Sequence, residues 1–278
     1  MADVVSRKEK TGWGIADALI ILWVLFPLWW IVALSFKDPS TISNGSFWPT
    51  KWTIGNYRTI FKTSDFLLAL RNSVVVALIA TLISVVLASL AAYAVSRLRF
   101  RGKKVFVGAS LLVAMFPQIS LVTPMFNLER SIHLFDTWWG LIIPYIAFSL
   151  PLAIYVLSTF FREIPRDLER AAQVDGATPM QAFLRVIAPL AMPGMVTGAI
   201  LVFLYCWNDF LFAISLTSTN NSRTVPAALA FFTGNSSFEN PIGNIAAAAV
   251  IITIPILIFV LFFQRRIVAG LTSGAVKG

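Results

Sequence analysis

Six runs of apolar residues, each about the length a helix needs to cross the hydrocarbon of a bilayer, recur along the chain and are separated by polar or charged segments. They cover residues 15–34, 72–95, 105–124, 139–160, 194–216 and 245–263. The pattern predicts an all-α membrane protein with six transmembrane helices. The first run follows Arg7, Lys8 and Lys10. It is longer than a secretory signal core and no A-x-A site follows, so it reads as an uncleaved anchor. No Pro-rich, Ser-rich or repetitive linker divides the chain, and residues 1–278 are expected to form a single domain.

Composition agrees with the pattern. With 58% hydrophobic residues, 13% charged and a mean hydropathy of +0.79, the chain has too little polar surface for a water-soluble domain. The net charge of +9 would suit a nucleic-acid binder only if the basic residues shared one exposed face; here they flank the apolar runs, so no nucleic acid is expected. Their distribution gives orientation instead. Fifteen of the 22 Lys and Arg lie in the N-terminal segment, in RLRFRGKK at 97–104, in the loop at 162–190 and in the tail. By the positive-inside rule both termini and that loop face the cytoplasm, as an even number of spans requires. The lone Cys206 excludes an intrachain disulfide, and His133 has no Cys or second His nearby, so no metal site is expected.

Several positions suit helix packing in lipid, where close backbone approach replaces the hydrophobic drive: Gly194 and Gly198 as G-x-x-x-G, Ala246 to Ala249, and Ala88, Ala91 and Ala92. Pro117, Pro124, Pro144 and Pro151 are expected to kink or end their helices. Trp13, Trp48, Trp52, Trp138 and Trp139 fall at span edges, where indole rings settle among headgroups. Asp17 lies near the cytoplasmic end of its span and can reach the interface. Asp209 lies deeper. Helical spacing would place Tyr205, Asn208 and Asp209 on one face beside Trp207, a group that either binds sugar hydroxyls along a solute path or glues the chain to a partner.

The loop between the fourth and fifth runs, RDLERAAQVDGATPMQAFLRVIAPLAMPG at 166–194, is polar and carries cap signals. Pro165 suits a first helical turn, Asp167 and Glu169 favour a helix N-terminus, and Gly176 suits a left-handed C-cap. Thr178 and Pro179 then restart a helix. Leu168, Ala171, Ala172 and Asp175 would share one face of the first helix, and Met180, Phe183, Leu184 and Ile187 would form a stripe on the second. The small side chains of the first face suit docking in a protein groove better than resting on lipid.

These residues resemble the cytoplasmic EAA loop of ABC importer permeases, in which E-A-A is followed after three residues by Gly and after nine more by I-x-L-P. Ala171, Ala172, Gly176 and Pro189 match in register, and Asp175 to Ala177 give the DGA of the sugar-importing branch. Arg170 stands for the Glu of E-A-A, Val186 for Ile and Ala188 for Leu, while Glu169 offers an acidic group one residue earlier. With WNDF at 207–210 and the ending QRRIVAGLTSGAVKG, the chain is similar throughout to the smaller permeases of the maltose-importer class, above all to those serving trehalose. The resemblance implies a multi-pass subunit of the cytoplasmic membrane that moves a sugar by alternating access. It implies as partners a second permease, two ATPase subunits that bind ATP and Mg, and an external sugar-binding lipoprotein. The EAA coupling helix, between helices 4 and 5, would dock in an ATPase cleft through Glu169 or Arg170, Ala171, Ala172, Asp175 and Gly176, and Lys277 and Gly278 would reach the ATPase dimer interface. Maltose, another oligosaccharide or a glycerol-phosphate-type solute is the alternative cargo.

Two other classes fit the residues less well. An ion-coupled carrier ordinarily has several intramembrane ionisable groups or internal repeats, and one deep acid is found. A membrane enzyme would need a nucleophile with its base, a metal spacing or a G-x-x-x-x-G-K-[ST] loop, and none occurs, so no cofactor is expected in this chain.

Overall fold

The structure, a computed structural model, describes residues 7–62, 64–232 and 241–272. Its helices are α1 (Arg7–Ser35), α2 (Gly55–Lys62), α3 (Ser64–Arg97), α4 (Lys103–Met115), α5 (Gln118–Ser131), α6 (Trp138–Glu163), α7 (Arg166–Val174), α8 (Pro179–Ala182), α9 (Ala188–Leu190), α10 (Met192–Asn208), α11 (Leu211–Leu216), α12 (Val225–Ala230) and α13 (Ile242–Thr272). Among the described residues, extended backbone pairs only at the bridge between Lys37 and Trp52.

Among the described residues, four stretches are long and apolar enough to cross a bilayer: Trp13–Ser35, Asp65–Arg97, Trp138–Glu163 and Ile242–Phe262. Two further candidates are bent pairs, so the total is six if each pair is one span. The third predicted run is one of these, α4 and α5 meeting at 92°. Pro117 sits in the break with extended backbone, as its missing N–H and fixed φ favour. Pro124, Pro144 and Pro151, also expected to interrupt, lie inside α5 and α6. The fifth run differs more. Its helix α10 stops at Asn208, Asp209 is extended, and α11 begins at Leu211.

The described residues divide into two compact units, within Met1–Ser64 with Phe231–Pro255 and within Asp65–Ala230 with Ile256–Gly278. In the first, the Asn56 amide donates to the carbonyls of Ser35 and Lys37, 2.9 Å each, and so satisfies the end of α1. Gly243 allows that contact, since a Cβ there would lie 2.8 Å from Asn56 Nδ2. Ala246, Ala247 and Ala248 are buried as their size predicts. Trp48 stacks on Trp29 with ring centres 5.7 Å apart, and Trp48 and Trp52 remain exposed.

In the second unit α3, α6 and α10 form the core, with Ala77, Ala80, Ala88 and Ala92 of α3 buried among Leu141, Tyr145, Leu157 and Phe161 of α6 and Val202 and Phe203 of α10. The G-x-x-x-G pair works within the chain. A Cβ at Gly194 would lie 2.3 Å from Phe160 Cγ, and one at Gly198 would lie 3.5 Å from Leu157 Cγ, so α10 meets α6 where its backbone is bare.

The N-terminal ends of α3 and α6 are tied by a polar clamp that the sequence reading missed. Asp136, at φ 60°, accepts from the amides of Ser218 (2.8 Å) and Thr219 (3.0 Å) and from the Ser222 hydroxyl. Partial burial opposes ionisation of this carboxyl, but those hydrogen bonds outweigh it and hold the pKa below the usual 3.8. Asn72 donates to the carbonyls of Asn220 and Arg223, 3.0 Å each. Trp138, at the start of its span, donates its indole N–H towards Asn72 and Asn221 at 3.2 Å, with Arg71 over its ring.

Candidate functional site

At the C-terminal ends of α3 and α6 the loop folds into the helix, corner and helix that its caps predict. The first helix, α7, ends in a Schellman motif: Ala177 N–H bonds to Ala172 O (2.9 Å) and Gly176 N–H to Gln173 O (3.1 Å), with Gly176 at φ +89°. Only glycine takes that conformation without strain. Pro165 stands one residue before the helix, as its N-cap, not inside the first turn. Thr178 and Gln181 close a reciprocal capping box on α8, with Gln181 N–H to Thr178 Oγ1 at 3.3 Å and Thr178 N–H to Gln181 Oε1 at 2.9 Å.

The second stripe does not survive as expected. Phe183–Ile187 is a π-helical turn, with Ala188 N–H bonding to Phe183 O. Phe183 and Ile187 are buried against the bundle, whereas Met180 and Leu184 are exposed. On α7 the predicted face is open: Leu168 is 43% exposed, and Ala171 and Asp175 are also exposed. Ala172 is half-buried.

The two charged residues offered for docking point in opposite directions. Arg170 is exposed and, among the described residues, pairs only with Asp167 on its own helix, at 3.3 Å. Glu169 turns inward, where its Oε1 accepts from Tyr93 Oη at 2.5 Å and its Oε2 lies 3.8 Å from Arg97 Nε. Its carboxylate is therefore engaged within the chain. Lys277 and Gly278 lie outside the described residues.

The polar group near Asp209 is assembled by the two breaks in the helices. Because α10 ends at Asn208, the i, i+4 face expected for Tyr205 and Asp209 is replaced by a different arrangement. Asp209 Oδ2 accepts from Tyr145 Oη of α6 (2.8 Å) and from Ala213 N–H (3.0 Å), so from one residue before the N-cap Phe210 it satisfies an N–H in the first turn of α11. Tyr205 Oη accepts from Gln118 Nε2 at 2.8 Å, across from the α4–α5 break, and its ring stands edge-on to Tyr145. Gln118 and Tyr145 had no signal in the sequence, since their partners are far along the chain.

Asn208 is exposed, its amide spent on Leu204 O. Trp207, expected beside a sugar ring, is 4% exposed and stacks on Phe203 with centres 5.5 Å apart. A cleft of about 410 Å³ also opens between α3, α4 and α6, at Val95, Ser110, Tyr155, Ser158 and Arg162; none of the Asp209 group lines it.

Non-helical backbone at membrane depth is tolerated where it is buried in protein or lines an aqueous path, and two such breaks here converge on four polar side chains. With a stiff elbow held outside the long helices, these are the parts of a solute-conducting membrane subunit. By sequence the chain belongs to the family of binding-protein-dependent transport system inner membrane components, which matches residues 84–273. It is 60% identical over 274 residues to the trehalose transport system permease protein SugB of Mycobacterium tuberculosis, covering 99% of this chain and 100% of that one. It is 39% identical to the trehalose/maltose transport system permease protein MalG of Thermococcus litoralis, covering 95% of each. The fold matches a chain of a bacterial ABC transporter involved in the import of the acidic polysaccharide alginate, with a TM-score of 0.80, 23% identity, and 94% and 98% of the two chains covered.

Proposed function

We propose that this chain is the permease subunit of an ATP-driven importer of trehalose, working with a second permease, two ATPase subunits that bind ATP and Mg, and an extracytoplasmic sugar-binding lipoprotein. Both termini and the α7 loop face the cytoplasm. The ATPase receives the open face of α7 at Leu168, Ala171, Ala172 and Asp175, beside Arg170, and Lys277 and Gly278 approach its dimer interface. The solute passes the helix breaks at Gln118, Tyr145, Tyr205, Asn208 and Asp209, while Trp207 packs behind them.

The observation that carries the reading is the exposed, small-residue face of α7, capped at both sides of the corner and standing clear of the core. Three or four side chains buried there in a partner, at roughly 1.5–3 kcal/mol for a large one and less for alanine, suffice to hold a working joint. The substrate rests on the 60% identity to a trehalose permease along the whole chain.

The test is uptake by the full complex in proteoliposomes. Labelled trehalose should enter only with internal ATP and binding protein present, and should still enter after an ionophore collapses ion gradients. Uptake that stops with the ionophore but ignores ATP would replace this reading with an ion-coupled carrier. Maltose, other oligosaccharides and glycerol-phosphate-type solutes serve as competitors; stronger ATPase stimulation by one of them would reassign the cargo.

A further inference from the structure

We propose that Glu169, Arg97 and Tyr93 form the joint through which α7 moves the membrane helices, making Glu169 a positioning residue for coupling and not a contact to the ATPase. The proposal rests on the coupling role of α7 above and names how displacement leaves that helix.

One guanidinium is shared by three elements. Arg97 ends α3; its Nη2 donates to the carbonyls of Phe161 and Ile164, 2.6 Å each, at the end of α6; and its Nε faces Glu169 of α7. The Arg97 and Glu169 side chains are 4% and 13% exposed, so solvent screens the pair little. The exposed Arg170–Asp167 pair, at 72% and 87%, contributes almost nothing by comparison. Aromatic rings follow the same connections, since Phe183 lies 4.8 Å from Tyr93 and 6.2 Å from Phe161, centre to centre. Arg166 adds a bond to Ser96 O at 3.4 Å.

The joint also has slack of a defined kind. Arg97 Nε is buried with no hydrogen-bond partner, and Glu169 Oε2 stands 3.8 Å away, about an ångström beyond a charge-assisted bond. Leaving a buried donor unmade is costly. A position of α7 slightly nearer α3 would complete it, so the pair favours a second state of the elbow.

The measurement is ATP hydrolysed per sugar imported by the reconstituted complex. Glu169→Gln should raise this ratio roughly tenfold, Glu169→Ala further, and Tyr93→Phe less, with the ATPase subunits still co-purifying. Glu169→Gln combined with Arg97→Lys should do no more than the worse single change, because both break one connection. A wild-type ratio in Glu169→Gln, or loss of the ATPase subunits from that variant, overturns the proposal. If the wild-type complex imports no sugar on ATP, the functional reading fails by itself. Amide exchange then decides the joint: Glu169→Gln should speed exchange in α7 and at the end of α3, and unchanged exchange overturns it.

Discussion

Gly176 offers a clean perturbation of the elbow. Its φ of +89° lies in the left-handed region, yet a Cβ built there meets nothing within 4 Å. Any substitution is therefore felt through the backbone alone. An L-residue forced into this region loses about 1–2 kcal/mol, with Asn the best tolerated. That corresponds to roughly a 5- to 30-fold drop in the ratio of loops that hold the corner to loops that have lost it. Proline is worse in kind: it fixes φ near −65° and removes the N–H that bonds Gln173 O at 3.1 Å. Sugar uptake per ATP in proteoliposomes should fall in the order Asn, Ala, Val, Pro, with membrane insertion, read from the yield in the membrane fraction, unchanged. If Gly176→Val and Gly176→Pro import at the wild-type ratio, or if Asn is as harmful as Val, the left-handed corner is not what transmits the stroke.

Other changes test other parts. Asp136 has a depressed pKa, so its contribution to stability is complete above the ordinary carboxylate value near 3.8 and disappears as pH falls through the lower folded value; Asp136→Asn should lower the unfolding temperature at neutral pH and flatten its decline in acid. Gly194→Ala sets a methyl against the Phe160 ring and should destabilise the bundle by about 1–3 kcal/mol in denaturant titration, with partial recovery when Phe160 is made Leu. Tyr145→Phe removes the hydroxyl that donates to Asp209 and should slow uptake with assembly intact, whereas Asp209→Ala, which also leaves the Ala213 N–H without its acceptor, should cost about 1 kcal/mol of stability as well; loss of the second permease from either variant on purification would make the cluster subunit glue.

What the sequence revealed was whatever a short window contains. Cap chemistry is local, so Gly176, Thr178 and Pro179 announced the elbow correctly, and the apolar runs announced the long helices. Asp209 misled because helical spacing was assumed to continue through WNDF. The chain breaks there, since the carboxylate accepts from an N–H in the first turn of the next helix and Tyr145, 64 residues earlier, holds it in place. The burial of Trp207 was not legible either: Phe203, one helical turn before it, stacks on its ring. The hydrogen bond from Trp138 to Asn72, 66 residues away, had no local signal. Glu169 and Arg170 are neighbours of opposite fate, and only the distant Tyr93 and Arg97 decide which one turns inward. Asp136 gave no signal at all, because its partners lie more than 80 residues away.

The wide turn at Phe183–Ile187 bears on how this loop tolerates changes in length. A helix carrying one residue in surplus can shed it and tighten to ordinary winding, leaving both flanks aimed as before. The same deletion within α7 would swing every later side chain by about 100° about the axis. Grafts and natural shortenings of one residue should therefore be absorbed at this turn while the descent into α10 keeps its heading.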